Sequence, residues 1–525
     1  MYDPAEIATV ADISRVQARV RPDAVAMWFE GRETTFAQLD ARASACANAL
    51  LAAGVQPGER VACLAKNNDE TFVYWLGAMK ARACLTPVNW RLAPPEIAFI
   101  LKDASARVLV CGADFVDVVD MIVSGCPDLH RLVQFEPGHP RWPSFNDWTR
   151  AYPTTDPALS IAGGDDVIQL YTSGTTGLPK GVQLTHDNYL AFFQAAVGGG
   201  AGWADFEAGA TGLVAMPLFH VAGVNVGLLD LLQGCRSVIL REIDPNLLLR
   251  LLPQEKIRYA FMVPAVINML LQTPGVETTD FSQLKSVFYG ASPIAEDVLL
   301  RAARQFGCNF TQCYGLTETV GGGVCLAPED HDPARGKLRA CGKPSPGYEV
   351  RVVTPEGEVA GPAAVGEIQI RGKGVMKGYW NRPDATGAAI DAEGWFRTGD
   401  AGYWDDEGYL YIHDRVKDMI VTGGENVYPA EVENALFSHP DIADAAVIGI
   451  PDPHWGEAVK AVVVLRKGAS LDADALIAHC RARIAGYKSP KSIDVVDVLP
   501  RNPSGKVLRR ELRAPYWAGR DRNVG

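Results

Sequence analysis

Tyr171-Thr-Ser-Gly-Thr-Thr-Gly-Leu-Pro-Lys-Gly181 packs three glycines, three threonines, a serine and a lysine into eleven residues, directly after the apolar run 167–170. A loop this rich in glycine turns backbone N–H groups toward one point, and its hydroxyls and Lys180 add further donors. Such a concave array suits a polyphosphate. The spacing is not that of a Walker A loop, because no Gly-Lys-Ser/Thr follows four residues after a glycine. Alone, the stretch reads more readily as a flexible strand-to-helix turn, so the phosphate reading needs support from the rest of the chain.

Around this loop, helix-like and strand-like segments alternate. Phe36, Leu39, Ala43, Cys46 and Leu50 recur at helical spacing behind a capping box at Thr35 and Gln38, and Gly54 closes that helix. Short apolar runs at 60–64, 107–111, 167–170, 213–216, 237–240, 259–263 and 286–289 predict strands in βαβ units, hence largely parallel sheets. After Pro344 the pattern changes to half-buried alternation at 349–353, 366–371 and 408–412, which predicts a small β-rich module. From Asp418 a second α/β unit begins, with strands at 419–421, 445–450 and 459–465 and helices at 429–437 and 473–484.

With 525 residues the chain exceeds one hydrophobic core, so two or more domains are expected. A formal net charge of -12 argues against non-specific nucleic-acid binding and against electrostatic docking on anionic lipid. An anionic substrate then needs a local cluster of donors. The 11 cysteines are scattered without CxxC or His/Cys ligand spacing, as expected of small core residues in a reducing compartment. No basic and apolar leader opens the chain, and no run approaches membrane-spanning length. These features lead to the expectation of a cytoplasmic protein, with peripheral membrane contact and a homodimer left open.

Further segments fit the phosphate reading. Phe288-Tyr-Gly-Ala-Ser-Pro293 runs a strand into a turn of small residues that admits a flat base close to the backbone. Tyr314-Gly-Leu-Thr-Glu-Thr319 places a ring, hydroxyls and a carboxylate within six residues, and Glu318 suits Mg2+, which prefers hard oxygens shared with phosphate. Asp400 in Arg397-Thr-Gly-Asp400 can pair with two ribose hydroxyls, or simply form an Asx turn. Arg415 adds a cation before the second unit. Gly423-Gly424, ahead of Glu425, permits close backbone approach. Arg501-Asn-Pro-Ser-Gly-Lys506 sets a lysine at a Pro/Gly turn.

Together and in this order, these motifs resemble the adenylate-forming enzymes, specifically the acyl-CoA synthetases, over essentially the whole chain. The resemblance is most specific in the continuous stretch 408–433. It implies an α/β fold with residues 1–414 as an adenylation and acyl-binding domain, 415–417 as hinge and 418–525 as a small mobile domain. It further implies ATP, Mg2+ and coenzyme A as reactants and cofactor. Thr172, Ser173, Gly174, Thr175 and Thr176, with Lys180 nearby, would hold the β- and γ-phosphates. Gly290, Ala291, Ser292, Tyr314 and Gly315 would line the adenine slot, and Thr317 would meet the α-phosphate. Glu318 would bind the metal, and Asp400 and Arg415 the ribose. Lys506 would reach the substrate carboxylate. Rotation about Lys417 would then bring Gly423, Gly424 and Glu425 to the pantetheine tunnel.

By the same resemblance, His220 gates an acyl pocket lined by Val221, Asn225, Tyr289, Val320, Gly321, Gly322 and Gly323. The three glycines suggest a long or wide apolar channel, and medium- to long-chain fatty acids are the leading substrates. Aryl, cinnamoyl-type and polycyclic acids remain the alternative. A peptide-synthetase adenylation domain fits less well, since His220-Val-Ala-Gly-Val-Asn225 has no aspartate for an α-amino group. A luciferase-like oxidation uses the same parts and would show itself by light emission. A non-enzymatic acyl-CoA-binding regulator is disfavoured by Glu318, Asp400 and Lys506.

Overall fold

The computed structural model describes residues 6–172, 179–197, 204, 206–415, 418–422, 425–453, 455–502 and 505–518, with backbone alone at 413–415 and 425–426. Ser173, Gly174, Thr175, Thr176, Lys417, Gly423 and Gly424 lie outside this set, as do the side chains of Arg415 and Glu425.

The fold is α/β, and four sheets form among the described residues. Strands Arg60–Leu64, Cys84–Pro87, Val108–Cys111, Arg131–Gln134 and Asp166–Thr172 run parallel in one seven-stranded sheet. Lys180–Thr185 and Gly378–Tyr379 complete it in antiparallel fashion. The glycine-rich loop therefore joins two antiparallel strands, with Thr172 opposite Lys180, and not a strand to a helix. The expected helix runs from Phe36 to Ala52, with both capping-box hydrogen bonds in place at Thr35 and Gln38. Such a cap contributes about 1 kcal/mol.

The second sheet has nine strands and brings distant parts of the chain together. Its centre is Asn309–Gly315, Ser286–Gly290, Ile257–Met262, Thr211–Val214 and Arg236–Ile239, which run parallel to one another. The early strand Val25–Phe29 pairs in parallel with Arg236–Ile239, and Arg32–Thr35 folds back beside it at the edge. The helix Val221–Gln233 lies almost wholly buried beside this sheet.

The β-rich module is an antiparallel sheet of Tyr348–Val353, Gly366–Gly372, Phe396–Trp404 and Leu410–Arg415. Beyond Asp418 a further sheet forms around the long antiparallel pair Ile442–Asp452 and Gly456–Leu465. Helices Pro429–Phe437 and Ala473–Arg481 cover its core face. This C-terminal unit rests on the main body through Phe437, which packs against the buried cluster that includes Leu248, Val266 and Ile267. It is also held by the Asn268 side-chain amide, which donates to the carbonyl of Ala443 at 3.0 Å.

Candidate active site

The carboxyl ends of Ile257–Met262, Ser286–Gly290 and Asn309–Gly315 open onto a cavity of about 1940 Å3, the position where open α/β sheets place their ligands. The C-terminal unit closes one side of it, so the cavity lies between two parts of the chain. Thr172, Lys180, His220, Gly290, Ala291, Ser292, Tyr314, Gly315, Thr317, Glu318, Asp400 and Lys506 all border it.

Glu318 sits in the short helical turn Thr317–Thr319 with 8% of its surface exposed. Its Oε1 accepts from the Tyr379 hydroxyl at 3.0 Å and, more distantly, from Thr172 Oγ1 at 3.5 Å. Lys180 Nζ lies 5.0 Å from the centre of the Tyr379 ring. Tyr379, which sequence motifs do not flag, thus links the loop flanks to the carboxylate. Its own strand pairs with Val182 and Gln183, and the neighbouring Trp380 is fixed on both sides. The indole covers the Arg60 guanidinium at 3.4 Å and donates to the carbonyl of Asp103 at 2.8 Å. Burial, then the Glu318 charge, pushes the Tyr379 phenol well above its usual range, so it stays a donor. The donor set suits magnesium, which takes one or two carboxylates and leaves its other positions to phosphate and water.

On the opposite wall the Tyr314 hydroxyl donates to Asp400 Oδ2 at 2.8 Å, and Asp400 stands opposite Arg415 in the module's sheet. Gly290, which also borders the cavity, presents only backbone. A Cβ on Gly290 would sit 2.2 Å from the Cys313 carbonyl oxygen, so the two strands meet here more closely than a side chain allows. Ala291 follows in the left-handed region at φ 67, an uncommon conformation for a residue with a Cβ, which turns the chain out of the sheet.

Lys506 reaches the cavity on a braced turn. Its N–H donates to Asn502 Oδ1 at 2.8 Å, and the Asn502 N–H returns to the Lys506 carbonyl at 2.8 Å. Arg501 ties the turn down, donating to the Gly505 carbonyl at 2.7 Å and to both carboxylate oxygens of Asp444 at 2.8 and 2.6 Å. His220 is the N-cap of helix Val221–Gln233 and faces Lys506. Burial first, and the Lys506 charge second, push its imidazole down to about 4, so it is neutral near pH 7. Its Nδ1 has no hydrogen-bond partner among the described residues.

The inner end of the cavity corrects part of the expected acyl lining. Val221, Asn225 and Gly321 border it, whereas Tyr289, Val320, Gly322 and Gly323 do not. Strand alternation explains the first: Phe288 and Gly290 face the cavity, so Tyr289 points into the opposite core, where its hydroxyl meets His331 Nε2 at 3.0 Å. Val320 is fully buried and offers only its carbonyl, which accepts from Asn225 Nδ2 at 2.7 Å. Gly322 lies under the Tyr348 ring, and Gly323 lies under Ile370. The glycines therefore permit close packing beneath the site instead of widening a channel. Aromatic side chains make the walls: Phe206 stacks on Tyr259 at 4.3 Å and tilts against Phe288 at 5.5 Å. Asp230 borders the same end.

Known proteins resemble this chain over nearly its whole length. The description "AMP-binding enzyme" matches residues 14–380, and "AMP-binding enzyme C-terminal domain" matches residues 431–506. A fatty acid–[acyl-carrier-protein] ligase of Streptomyces coeruleorubidus is 39% identical across 99% of this chain and 98% of its own. A long-chain-fatty-acid–CoA ligase of Mycobacterium tuberculosis is 36% identical across 96% of each chain. The solved anthranilate CoA ligase in complex with anthranoyl-AMP superposes with a TM-score of 0.90 at 27% identity, covering 98% of this chain and 99% of its own. The chain belongs to the AMP-binding enzyme family. Within it, the protein is an AMP-forming acid–thiol ligase of the acyl-CoA synthetase type.

Proposed function

We propose that the protein converts a medium- to long-chain fatty acid to its acyl-CoA through an acyl-adenylate, releasing pyrophosphate and then AMP. The observation that carries this reading is the convergence of Lys180, Glu318, Asp400 and Lys506 on one cavity whose inner end is mostly aliphatic and aromatic, with Asn225 and Asp230 as its polar members. Two fatty-acid ligases among the relatives support an alkyl acid.

In the first half-reaction the acid carboxylate attacks the α-phosphorus of ATP and pyrophosphate leaves. Thr172 and Lys180 at the flanks of the loop 173–179, with the loop itself, bind the outer phosphates; Thr317 meets the α-phosphate. Asp400, oriented by Tyr314, takes the ribose hydroxyls with Arg415, while Gly290–Ser292 and Gly315 leave room for the base. Glu318 and Thr172 would hold a magnesium ion, which neutralises phosphate charge when bound. Two anions meeting at about 4 Å repel by about 4 kcal/mol at an effective dielectric of about 20. Lys506 offsets this repulsion where the carboxylate meets the phosphate. His220, uncharged, stands at the acyl entrance without repelling that lysine.

In the second half-reaction the CoA thiolate attacks the acyl carbonyl and AMP leaves, so no protein nucleophile is required. The C-terminal unit, residues 418–525, turns about 415–417, withdrawing Lys506 and presenting Gly423–Glu425 to the pantetheine arm. Thioester, AMP and pyrophosphate formation across a panel of fatty, aryl and polycyclic acids with MgATP and CoA tests the proposal. Fatty acids should give the highest kcat/KM. Failure to form AMP with any acid refutes the function, and preference for an aryl acid refutes the substrate.

A further inference from the structure

Helix Val221–Gln233 runs along the cavity from His220 at its mouth. Ala222, Asn225, Val226, Leu229 and Asp230 recur at helical spacing and form the stripe that borders it. Asp230 lies ten residues beyond His220, about 15 Å along the axis at 1.5 Å per residue. It therefore marks the far end from the carboxylate-activating groups. No part of its surface is exposed, and aromatic residues line the same end.

The carboxylate is only half satisfied. Oδ2 accepts from the Ser237 hydroxyl at 3.0 Å, and Oδ1 has no hydrogen-bond partner among the described residues. Leaving a buried carboxylate oxygen unpaired is costly, and an apolar residue would fill the helix more cheaply. The sheet also makes room for it. A Cβ at Gly212 would come within 2.3 Å of both carboxylate oxygens, so strand Thr211–Val214 carries glycine where the acid group sits.

We propose that Asp230 is a specificity residue that receives a hydroxyl group carried at the far end of the acyl substrate. The inference rests on the reading above that this end of the cavity takes the acyl group. A hydroxyl suits the site whichever form the acid takes, because it both donates and accepts. Burial pushes Asp230 up to about 8, so both forms are present near neutrality. An ammonium group pairs only with the ionised form. The hydroxyl can arrive on an alkyl chain or on an aromatic ring, and the test separates the two.

Pyrophosphate release is measured for two pairs of acids: ω-hydroxylauric against lauric acid, and para-coumaric against cinnamic acid. The parent enzyme should favour the hydroxylated member of at least one pair by about tenfold or more in kcat/KM, and Asp230→Ala should bring that ratio to within about twofold. Asp230→Asn, which keeps an acceptor, should retain part of the preference. Each ratio is taken on a single preparation, so a partly unfolded variant does not distort it; should Asp230→Ala fail to fold, the parent and Asp230→Asn ratios decide. A parent ratio of one or less in both pairs overturns the proposal, as does a ratio that Asp230→Ala leaves unchanged. Turnover of the plain acids without hydroxyl preference refutes this inference alone, whereas absence of AMP with every acid refutes the function beneath it.

Discussion

Tyr379→Phe removes one oxygen and with it the hydrogen bond of 3.0 Å that holds Glu318 Oε1. What remains at that oxygen is the Thr172 hydroxyl at 3.5 Å, too distant to orient the carboxylate firmly. A hydrogen bond to a charged group is worth about 1.5–3 kcal/mol, which corresponds to about 10- to 150-fold in rate if the orientation matters only at the transition state. Tyr379 acts through Glu318, whose carboxylate it orients, and is a positioning residue. Its loss should therefore lower kcat/KM for ATP in the pyrophosphate-release assay and raise the magnesium concentration giving half-maximal rate. Thioester formation from supplied acyl-adenylate should fall much less. The ring and its packing beside Lys180 are kept, so the melting temperature serves as the control for folding. A change below about threefold in a normally folded variant, with an unaltered magnesium requirement, would refute the role assigned to the hydroxyl.

Three further outcomes are expected. Lys506→Ala should reduce adenylate formation by about a thousandfold, matching the ~4 kcal/mol of anion repulsion it offsets, while sparing thioesterification of supplied acyl-adenylate; equal losses in both half-reactions would contradict this division. Lys417→Pro should impair chiefly the thioester step, seen as pyrophosphate release outrunning acyl-CoA formation, and parallel losses would argue against a pivot there. His186 is buried and its Nδ1 accepts from the Val10 N–H at 3.1 Å, while burial holds its pKa down to about 4. The unfolded chain binds the extra proton first, so stability should fall as pH drops from about 6.5 to about 4, by up to about 3 kcal/mol. Urea midpoints of the parent and His186→Gln should converge across that window, and a constant difference would exclude the effect.

The position of the candidate site is legible in the sequence, because Thr172, Lys180, Glu318, Asp400 and Lys506 each belong to a short motif of small and polar residues, and all five border one cavity. The apolar runs likewise give three strands of the seven-stranded sheet and four of the nine-stranded sheet to within a few residues, whereas short strands such as Cys84–Pro87 and Arg131–Gln134 are not among them. Tyr289 is misplaced although a strand is read over 286–289, because the pleat sends Phe288 and Gly290 to the cavity face and Tyr289 to the opposite core. Val320, Gly322 and Gly323 are misplaced because their glycines serve packing under Tyr348 and Ile370, contacts made by residues remote in sequence. Tyr379 carries no local signal: its strand is two residues long and gains meaning only beside Lys180–Thr185. Asp230 does leave a trace, an acid set between two pairs of leucines in a buried helix, but an isolated charge does not say which cavity it borders.

The pairing of Met27 with Ser237 has a consequence for how the polypeptide is made. The opening hairpin emerges from the ribosome with its apolar residues ready, yet its partner strand is about 200 residues downstream. At translation speeds of about 5–20 residues per second, that hairpin waits on the order of 10–40 s before it can dock. Its stability during synthesis therefore depends on helix Phe36–Ala52 and whatever chaperone meets the nascent chain, and slow codons between the two strands should lengthen the interval of greatest risk.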